Sequence, residues 1–176
     1  MNQKSTEKKY LAEFVYGATD GTITTFAVVA GVVGASLSSA VVLIIGFANL
    51  FADGFSMAIS NYLSTKSQKD LDAKHRHKHF HLKDPKNTAM ATFLSFIIIG
   101  FIPLISFVFA PLSQTINQNK FLISIILTCV AFLIIGAFKG KVVGKHWIKS
   151  SFQTLIIGGM AALIAYFVGY LLKSVV

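Results

Sequence analysis

The sequence predicts an all-α, polytopic membrane protein in which five transmembrane helices form a single domain over residues 1–176. Of its 176 residues, 54% are hydrophobic and only 13% are charged, whereas soluble domains have about 45–50% and about 25%. Five spans of roughly 20 residues each would account for this excess of apolar residues. A water-soluble globule and a disordered chain are therefore excluded. The single cysteine, Cys129, excludes an internal disulfide.

The first two predicted spans form an antiparallel helical hairpin. Two apolar stretches, residues 11–33 and 39–63, flank the small-residue segment GASLS at 34–38, which favours a turn. Each stretch is long enough to cross about 30 Å of hydrocarbon as a helix. Asp20 and Asp53 interrupt the two stretches.

Three further apolar runs complete the five spans. They cover residues 88–109, 121–138 and 151–172, and each approaches or exceeds the length that about 30 Å of hydrocarbon requires. Pro103 lies inside the first of these runs and predicts a kink there. Because the number of spans is odd, the two termini are expected on opposite sides of the membrane.

The distribution of basic residues predicts that the N-terminus is cytoplasmic. With this orientation every Lys and Arg except Lys120 and Lys173 falls in a cytoplasmic segment, and cytoplasmic flanks are where positive charge accumulates. The largest such segment is the loop 66–87. The net charge of +9 therefore reflects topology, and no nucleic-acid partner is expected. The host membrane would be the cell (inner) membrane in a prokaryote or a vacuolar-type membrane in a eukaryote.

Asp20 and Asp53 are the two deep ionisable residues of the hairpin. An ionisable side chain at the centre of a span costs at least about 2.5–3.5 kcal/mol, which indicates a functional site. In an antiparallel hairpin both lie about 21 Å from the outer turn, at 1.5 Å per residue. Two dry carboxylates at one depth repel each other, so a proton or a cation between them is expected.

Neighbouring residues extend this pair into a candidate metal site. Oxygen donors suit Mg²⁺ or Ca²⁺, and a thioether adds a preference for softer transition metals. A methionine in a membrane helix is more often a packing residue, so both roles stay open for Met57. Residues four apart share a helix face, and on this basis the candidate ligands are Glu13 and Asp20 on the first helix and Asn49, Asp53, Met57 and Asn61 on the second.

Four histidines alternate with other residues in the loop between the second and third spans. In a helix they would form two pairs spaced four residues apart, and in an extended segment all four would point to one side. Either arrangement suits Zn²⁺, Fe²⁺, Ni²⁺ or Cu²⁺. The basic residues between them oppose cation binding, so a solvated basic loop is the alternative. The four are His75, His77, His79 and His81.

Two motifs in the hairpin resemble the vacuolar iron transporter family. The first is YGATDGTITTFA at residues 16–27, and the second begins GFANLFADGFSMA at residues 46–58. The specific resemblance covers residues 14–70, and beyond it the number of spans agrees.

This resemblance implies a homodimer whose first and second helices line a metal path at the two-fold axis. It also implies a transporter rather than an enzyme, with no cofactor and with metal, bilayer and second copy as partners. Members move Fe²⁺, and often Mn²⁺, out of the cytosol in exchange for protons. Asp20 and Met57 match the family's metal-coordinating positions.

Two departures from the family pattern concern metal binding. Many members carry Gly-Glu where this chain has Ser60 and Asn61, so one carboxylate is absent, while Asp53 occupies a position that is often small. Larger members also insert a Glu-rich metal-binding domain between the second and third spans, for which residues 68–86 are too short. The four histidines are expected to capture metal in its place.

The sequence therefore predicts a proton-coupled transporter that moves Fe²⁺ or Mn²⁺ out of the cytosol. Two other classes stay open. An intramembrane aspartyl protease also needs two aspartates at one depth on neighbouring helices, although the motifs of such proteases are missing. A non-transporting membrane scaffold or metal sensor would bind metal without flux.

Overall fold

The computed structural model describes residues 9–74 and 83–175, and this part of the chain is helical, without a strand. Short 3₁₀ segments, Ile102–Leu104 and Ala110–Leu112, flank the fourth α-helix. The α-helices are α1 (Leu11–Gly34), α2 (Ser39–Lys74), α3 (Pro85–Gly100), α4 (Ile105–Phe109), α5 (Gln114–Val143) and α6 (Trp147–Leu172).

Among the residues that the structure describes, five segments are long and apolar enough to cross a membrane. The third of them combines α3, α4 and the two 3₁₀ segments. The predicted fold class, an all-α multi-pass membrane protein with five spans, is confirmed. The segments are Leu11–Gly34, Ser39–Ala73, Pro85–Leu112, Gln114–Val143 and Trp147–Leu172.

Helix α1 is the most buried of the five spans and contacts α2, α3, α5 and α6. Its contacts with α3 and α6 are more extensive than those with α2. A Cβ at Gly17 would collide with the carbonyl oxygen of Thr92, and one at Gly21 would lie 2.6 Å from that of Phe96. Because these positions are glycines, the backbones of α1 and α3 lie in direct contact.

The connection between α1 and α2 is a tight turn at residues 35–38. Ser36 has a φ of 59°, the left-handed conformation that ends many helices. Its backbone N–H donates to Val33 O at 2.9 Å, and that of Leu37 donates to Val32 O at 3.0 Å. These two bonds form a Schellman motif, which satisfies the last carbonyls of α1 and reverses the chain.

Helix α2 is longer than the sequence analysis predicts. The span was expected to end at residue 63 and to be followed by the loop 66–87, but the helix continues to Lys74. Residues 64–74 contain neither glycine nor proline, so the helix has no local reason to stop. At the other end of the loop, Pro85 begins α3, and Asp84 caps that helix by accepting from Lys86 N at 2.8 Å.

The third span is interrupted at the proline that the sequence singled out. Helix α3 ends at Gly100, and Pro103 lies in the 3₁₀ segment that follows. The hydroxyl of Ser124 on α5 donates to Pro103 O at 2.6 Å. Irregular backbone at membrane depth is tolerated where a neighbouring helix satisfies its polar groups, and Ser124 does so here.

Candidate metal-binding site

Asp20 and Asp53 form an acidic pair between α1 and α2. Both side chains are partly buried, and they lie close enough for their charges to interact. Neither carboxylate has a hydrogen-bond donor or a basic partner among residues 9–74 and 83–175. A negative charge in a span without such a partner is costly, so this pair requires neutralisation by a proton or a cation.

Asn49 lies one helical turn from Asp53 on α2, and its side-chain nitrogen is buried without a hydrogen-bond partner in the described part of the chain. Buried amide groups nearly always have partners. Which of the two terminal atoms of an asparagine side chain is oxygen and which is nitrogen is decided from their hydrogen-bond partners. An unpartnered amide beside an acidic pair is therefore a candidate ligand-binding group.

Met57 and Asn61 line a second, separate feature, a polar groove of about 320 Å³ on the surface of α1 and α2. Met57 also packs against the apolar core, which is the packing role that the sequence left open, and its role as a metal ligand stays a prediction. Asp20 and Asp53 are not among the lining residues of this groove. The lining consists of Tyr16, Ser56, Met57, Ser60, Asn61 and Ser64.

Sequence reasoning missed the three serines and the tyrosine of this groove. Ser56, Ser60 and Ser64 are spaced four residues apart, and they share the helix face of the groove. This regular spacing of hydroxyls in an apolar span could have identified them. Tyr16 comes from α1, so its place in the groove depends on the packing of two helices.

The amide of Asn61 has a fixed orientation. Its Nδ2 donates to Thr92 Oγ1 at 2.6 Å, and that hydroxyl donates its own hydrogen to Thr88 O at 3.0 Å. Because the hydroxyl has one hydrogen, it only accepts from Asn61. The amide nitrogen therefore faces α3, and Asn61 Oδ1 is left without a partner among the described residues.

Glu13 has a partner that the sequence did not predict. The residue is 9% exposed, and Lys83 Nζ donates to both of its carboxylate oxygens, at 2.7 and 2.9 Å. Lys83 is 70 residues away in sequence, next to the start of α3. A metal ion could reach the Glu13 carboxylate only by displacing Lys83, so in this structure Glu13 is an ion-pair partner rather than a free ligand.

The remaining predicted ligands, His75, His77, His79 and His81, lie outside the described residues. Within residues 9–74 and 83–175, no group of three or more His, Cys, Asp or Glu side chains could hold a metal ion. The described part of one chain thus contributes a pair of carboxylates together with neutral oxygen and sulfur donors.

Comparison with known proteins finds relatives over nearly the whole chain. The vacuolar iron transporter of Plasmodium berghei (strain Anka) is 29% identical over 97% of this chain and 85% of that protein. The vacuolar iron transporter of Toxoplasma gondii (strain ATCC 50861 / VEG) is 27% identical, over 99% and 78%. Vacuolar iron transporter 1 of Oryza sativa subsp. japonica is 27% identical, over 92% and 84%.

The Plasmodium relative is longer inside the matched region. Its alignment runs over 231 positions, more than the 176 residues of this chain, so that protein has residues there that this chain lacks. The sequence model of the VIT family matches in two pieces, residues 11–84 and 74–170. The two pieces meet at the connection between α2 and α3, where larger members were expected to carry an inserted domain.

These matches decide between the functional classes that the sequence left open. The relatives are named as transporters, which disfavours the aspartyl protease. The family match covers most of the chain and includes four of the five candidate spans completely and the fifth up to residue 170. The protein is therefore a transporter rather than an enzyme, and it belongs to the VIT family.

Proposed function

We propose that this protein carries a divalent transition-metal ion, Fe²⁺ or Mn²⁺, out of the cytosol in exchange for protons. The observation that carries the proposal is the pair Asp20 and Asp53, partly buried in two spans and without a basic partner among the described residues. The relatives named vacuolar iron transporter support iron as the substrate.

The exchange follows from the cost of charge in an apolar environment. Two carboxylates in a span are stable when protons or a cation neutralise them. A metal ion that binds between Asp20 and Asp53 would release their protons, and departure of the metal would restore protonation. The empty carrier would then return with neutral side chains.

The donor set favours a transition metal over Mg²⁺ or Ca²⁺. Hard cations prefer oxygen ligands alone, whereas thioether sulfur binds softer metals. Met57 and the free amide oxygen of Asn61 lie on one groove. Met57 is about one helical turn beyond Asp53 along α2, and Asn61 is about two turns beyond it. They are the neutral ligands that we assign to the cytoplasmic part of the path.

A homodimer would complete the site. In one chain the acidic pair and the groove supply few charged ligands, and the groove lies open on the surface of α2. A second copy related by a two-fold axis along this face would double Asp20, Asp53 and Met57. The N-terminus would be cytoplasmic, so that metal enters near Glu13 after displacing Lys83.

The test is transport by the full chain reconstituted in proteoliposomes with a metal-sensitive and a pH-sensitive dye. Asp20→Asn should reduce both metal flux and metal-driven proton movement to the level of protein-free liposomes, because the amide cannot exchange a proton for a cation. Asp70→Asn is the matched control, since Asp70 is exposed on the extension of α2, and it should transport like the wild type.

Two outcomes would contradict the proposal. Flux of wild-type size in Asp20→Asn would show that the acidic pair is not the exchange site. Metal binding without flux in the wild type would show that the chain does not transport the bound metal, Fe²⁺ or Mn²⁺, as proposed.

A further inference from the structure

The connection between α5 and α6 forms a basic pocket at the end of the bundle where α1 begins. The pocket has a volume of about 580 Å³, and its lining includes Lys139, Lys145, His146 and Lys149. The ring centroids of Phe138 and Phe14 lie 5.9 Å apart, so the pocket and the start of α1 are at the same end of the molecule. The transport path described above does not use any of these lysines.

The positive charge of this pocket is not balanced by carboxylates. No Asp or Glu occurs after Asp84 in the sequence. Within residues 9–74 and 83–175, the one ion pair joins Lys83 to Glu13, and the pocket lysines take no part in it. Three ammonium groups around one concave surface produce a local positive potential that attracts an anion.

Directional donors accompany this charge. Helix α6 begins at Trp147 without a side-chain cap, so backbone N–H groups of its first turn are free to bind an anion. Ser150 lines the same pocket and is only 8% exposed. Its hydroxyl has no hydrogen-bond partner among the described residues, so this largely buried residue has a donor left for a ligand in the pocket.

The surroundings of the pocket indicate that the anion belongs to a lipid. Two neighbouring spans end here, joined by residues 144–146 alone. Around them Val143, Trp147 and Phe152 are each more than half exposed, which is typical of side chains that face lipid at the membrane boundary. The charged headgroup of an anionic lipid would lie at the same depth as this pocket.

We propose that this pocket binds the phosphate headgroup of an anionic phospholipid, with the three lysines as counter-charges and Ser150 and the first turn of α6 as hydrogen-bond donors. Basic pockets between transmembrane helices bind such headgroups in other membrane proteins. The proposal does not depend on the transported substrate, because it concerns residues outside the transport path.

Trp147 provides a local probe, since it is the only tryptophan of the chain. The full chain is reconstituted in liposomes of phosphatidylcholine and phosphatidylglycerol, with bromine on the acyl chains of one lipid or the other. Bromine quenches tryptophan emission on contact. At equal mole fraction, brominated phosphatidylglycerol should quench Trp147 more strongly than brominated phosphatidylcholine. Equal quenching by the two lipids would overturn the proposal.

Variants separate the pocket from a general attraction between basic residues and anionic lipid. In Lys145→Gln/Lys149→Gln the preference for phosphatidylglycerol should fall about fivefold for each lysine removed. Ser150→Ala should also lower it while leaving every charge in place. The control Lys66→Gln/Lys69→Gln makes the same charge change on the exposed extension of α2 and should keep the wild-type preference.

Two results would refute a lipid site in this pocket. An equal loss in the Lys66→Gln/Lys69→Gln control would assign the preference to overall surface charge. Loss of the preference on addition of inorganic phosphate at constant ionic strength would assign the pocket to a soluble anion. Circular dichroism of each variant ensures that folded protein is compared.

Discussion

Asn61 is a residue whose chemistry is set by a neighbouring helix. Its amide nitrogen is bound by Thr92 on α3, and this leaves the amide oxygen as the group that a cation could use. An asparagine that turns freely presents a donor or an acceptor, whereas an asparagine held by a hydroxyl acceptor presents an acceptor alone. Thr92 is thus a positioning residue for the groove.

Thr92→Val removes the acceptor and keeps the shape of the side chain. Because a hydrogen bond contributes about 0.5–1.5 kcal/mol, we expect KM for the metal to rise about two- to tenfold with little change in kcat. Thr92→Ser restores the hydroxyl and should restore KM. Initial rates of metal uptake into proteoliposomes measure both quantities. If KM stays at the wild-type value in Thr92→Val, Asn61 has no part in binding the metal.

The sequence predicts site residues from their position along a single helix, and it does not predict contacts that depend on how the helices pack. Asp20 and Asp53 were paired from their equal depth in two helices joined by a short turn, a turn that the structure contains at residues 35–38, and their role in metal binding stays a prediction. The ion pair of Glu13 with Lys83 and the bond of Asn61 to Thr92 were not predicted. Both depend on how α3 packs against the first two helices, which a single sequence does not encode in any local pattern.

At the scale of elements, α1 is held in place by its close approach to α3. Gly21 faces the backbone of Phe96, and an added Cβ would meet that carbonyl oxygen at 2.6 Å. Backbone atoms cannot move aside as a flexible side chain does. The position of Asp20, the residue directly before Gly21, therefore depends on this contact.

Gly21→Ala should separate α1 from α3 and destabilise the protein, since overpacking of this kind costs about 1–3 kcal/mol. Thermal unfolding in detergent measures the effect as a lower Tm. Gly159→Ala is the matched control, because a Cβ there has no atom of the protein within 4 Å, and alanine also favours the helix. A Tm for Gly21→Ala equal to that of the control would mean that α1 and α3 do not touch at this point.

The boundaries of the elements were predictable where local chemistry marks them. The turn after α1 follows from a small-residue segment, and the break in the third span follows from Pro103. The far end of α2 was not predictable in the same way. Most of residues 64–70 are polar and exposed, so hydrophobicity marks where the membrane segment ends but not where the helix ends.

At the scale of the whole molecule, two exposed helix faces differ in composition. On α6 the exposed residues include Leu163, Ile164 and Phe167, as expected for a face in contact with lipid. On α2 the exposed residues include Ser56 and Ser60 within a span. Hydroxyls in a span favour contact between helices, so the face of α2 is the one that we expect against a second copy.

Ser60→Cys in a Cys129→Ala background tests this arrangement. If two copies meet along α2, mild oxidation in membranes should yield a disulfide-linked dimer on a non-reducing gel. Leu163→Cys is the control, because this residue is 70% exposed on α6, away from the proposed interface. This variant should run as a monomer on the gel. Equal cross-linking of the Ser60→Cys and Leu163→Cys variants would reflect random collision. No cross-linking of cysteine variants at Ser56, Ser60 and Ser64 would contradict a dimer along this face.

The ion pair at the start of α1 has an electrostatic consequence for an ion that enters there. Lys83 already neutralises Glu13, so the entrance that we propose there would attract cations only weakly at rest. A divalent ion that took the place of Lys83 would leave the ammonium group nearby, because the main chain tethers it to the start of α3. The displaced ammonium group of Lys83 would then repel the bound divalent ion. This repulsion would shorten the time that the ion spends at Glu13 and favour its movement to Asp20 and Asp53.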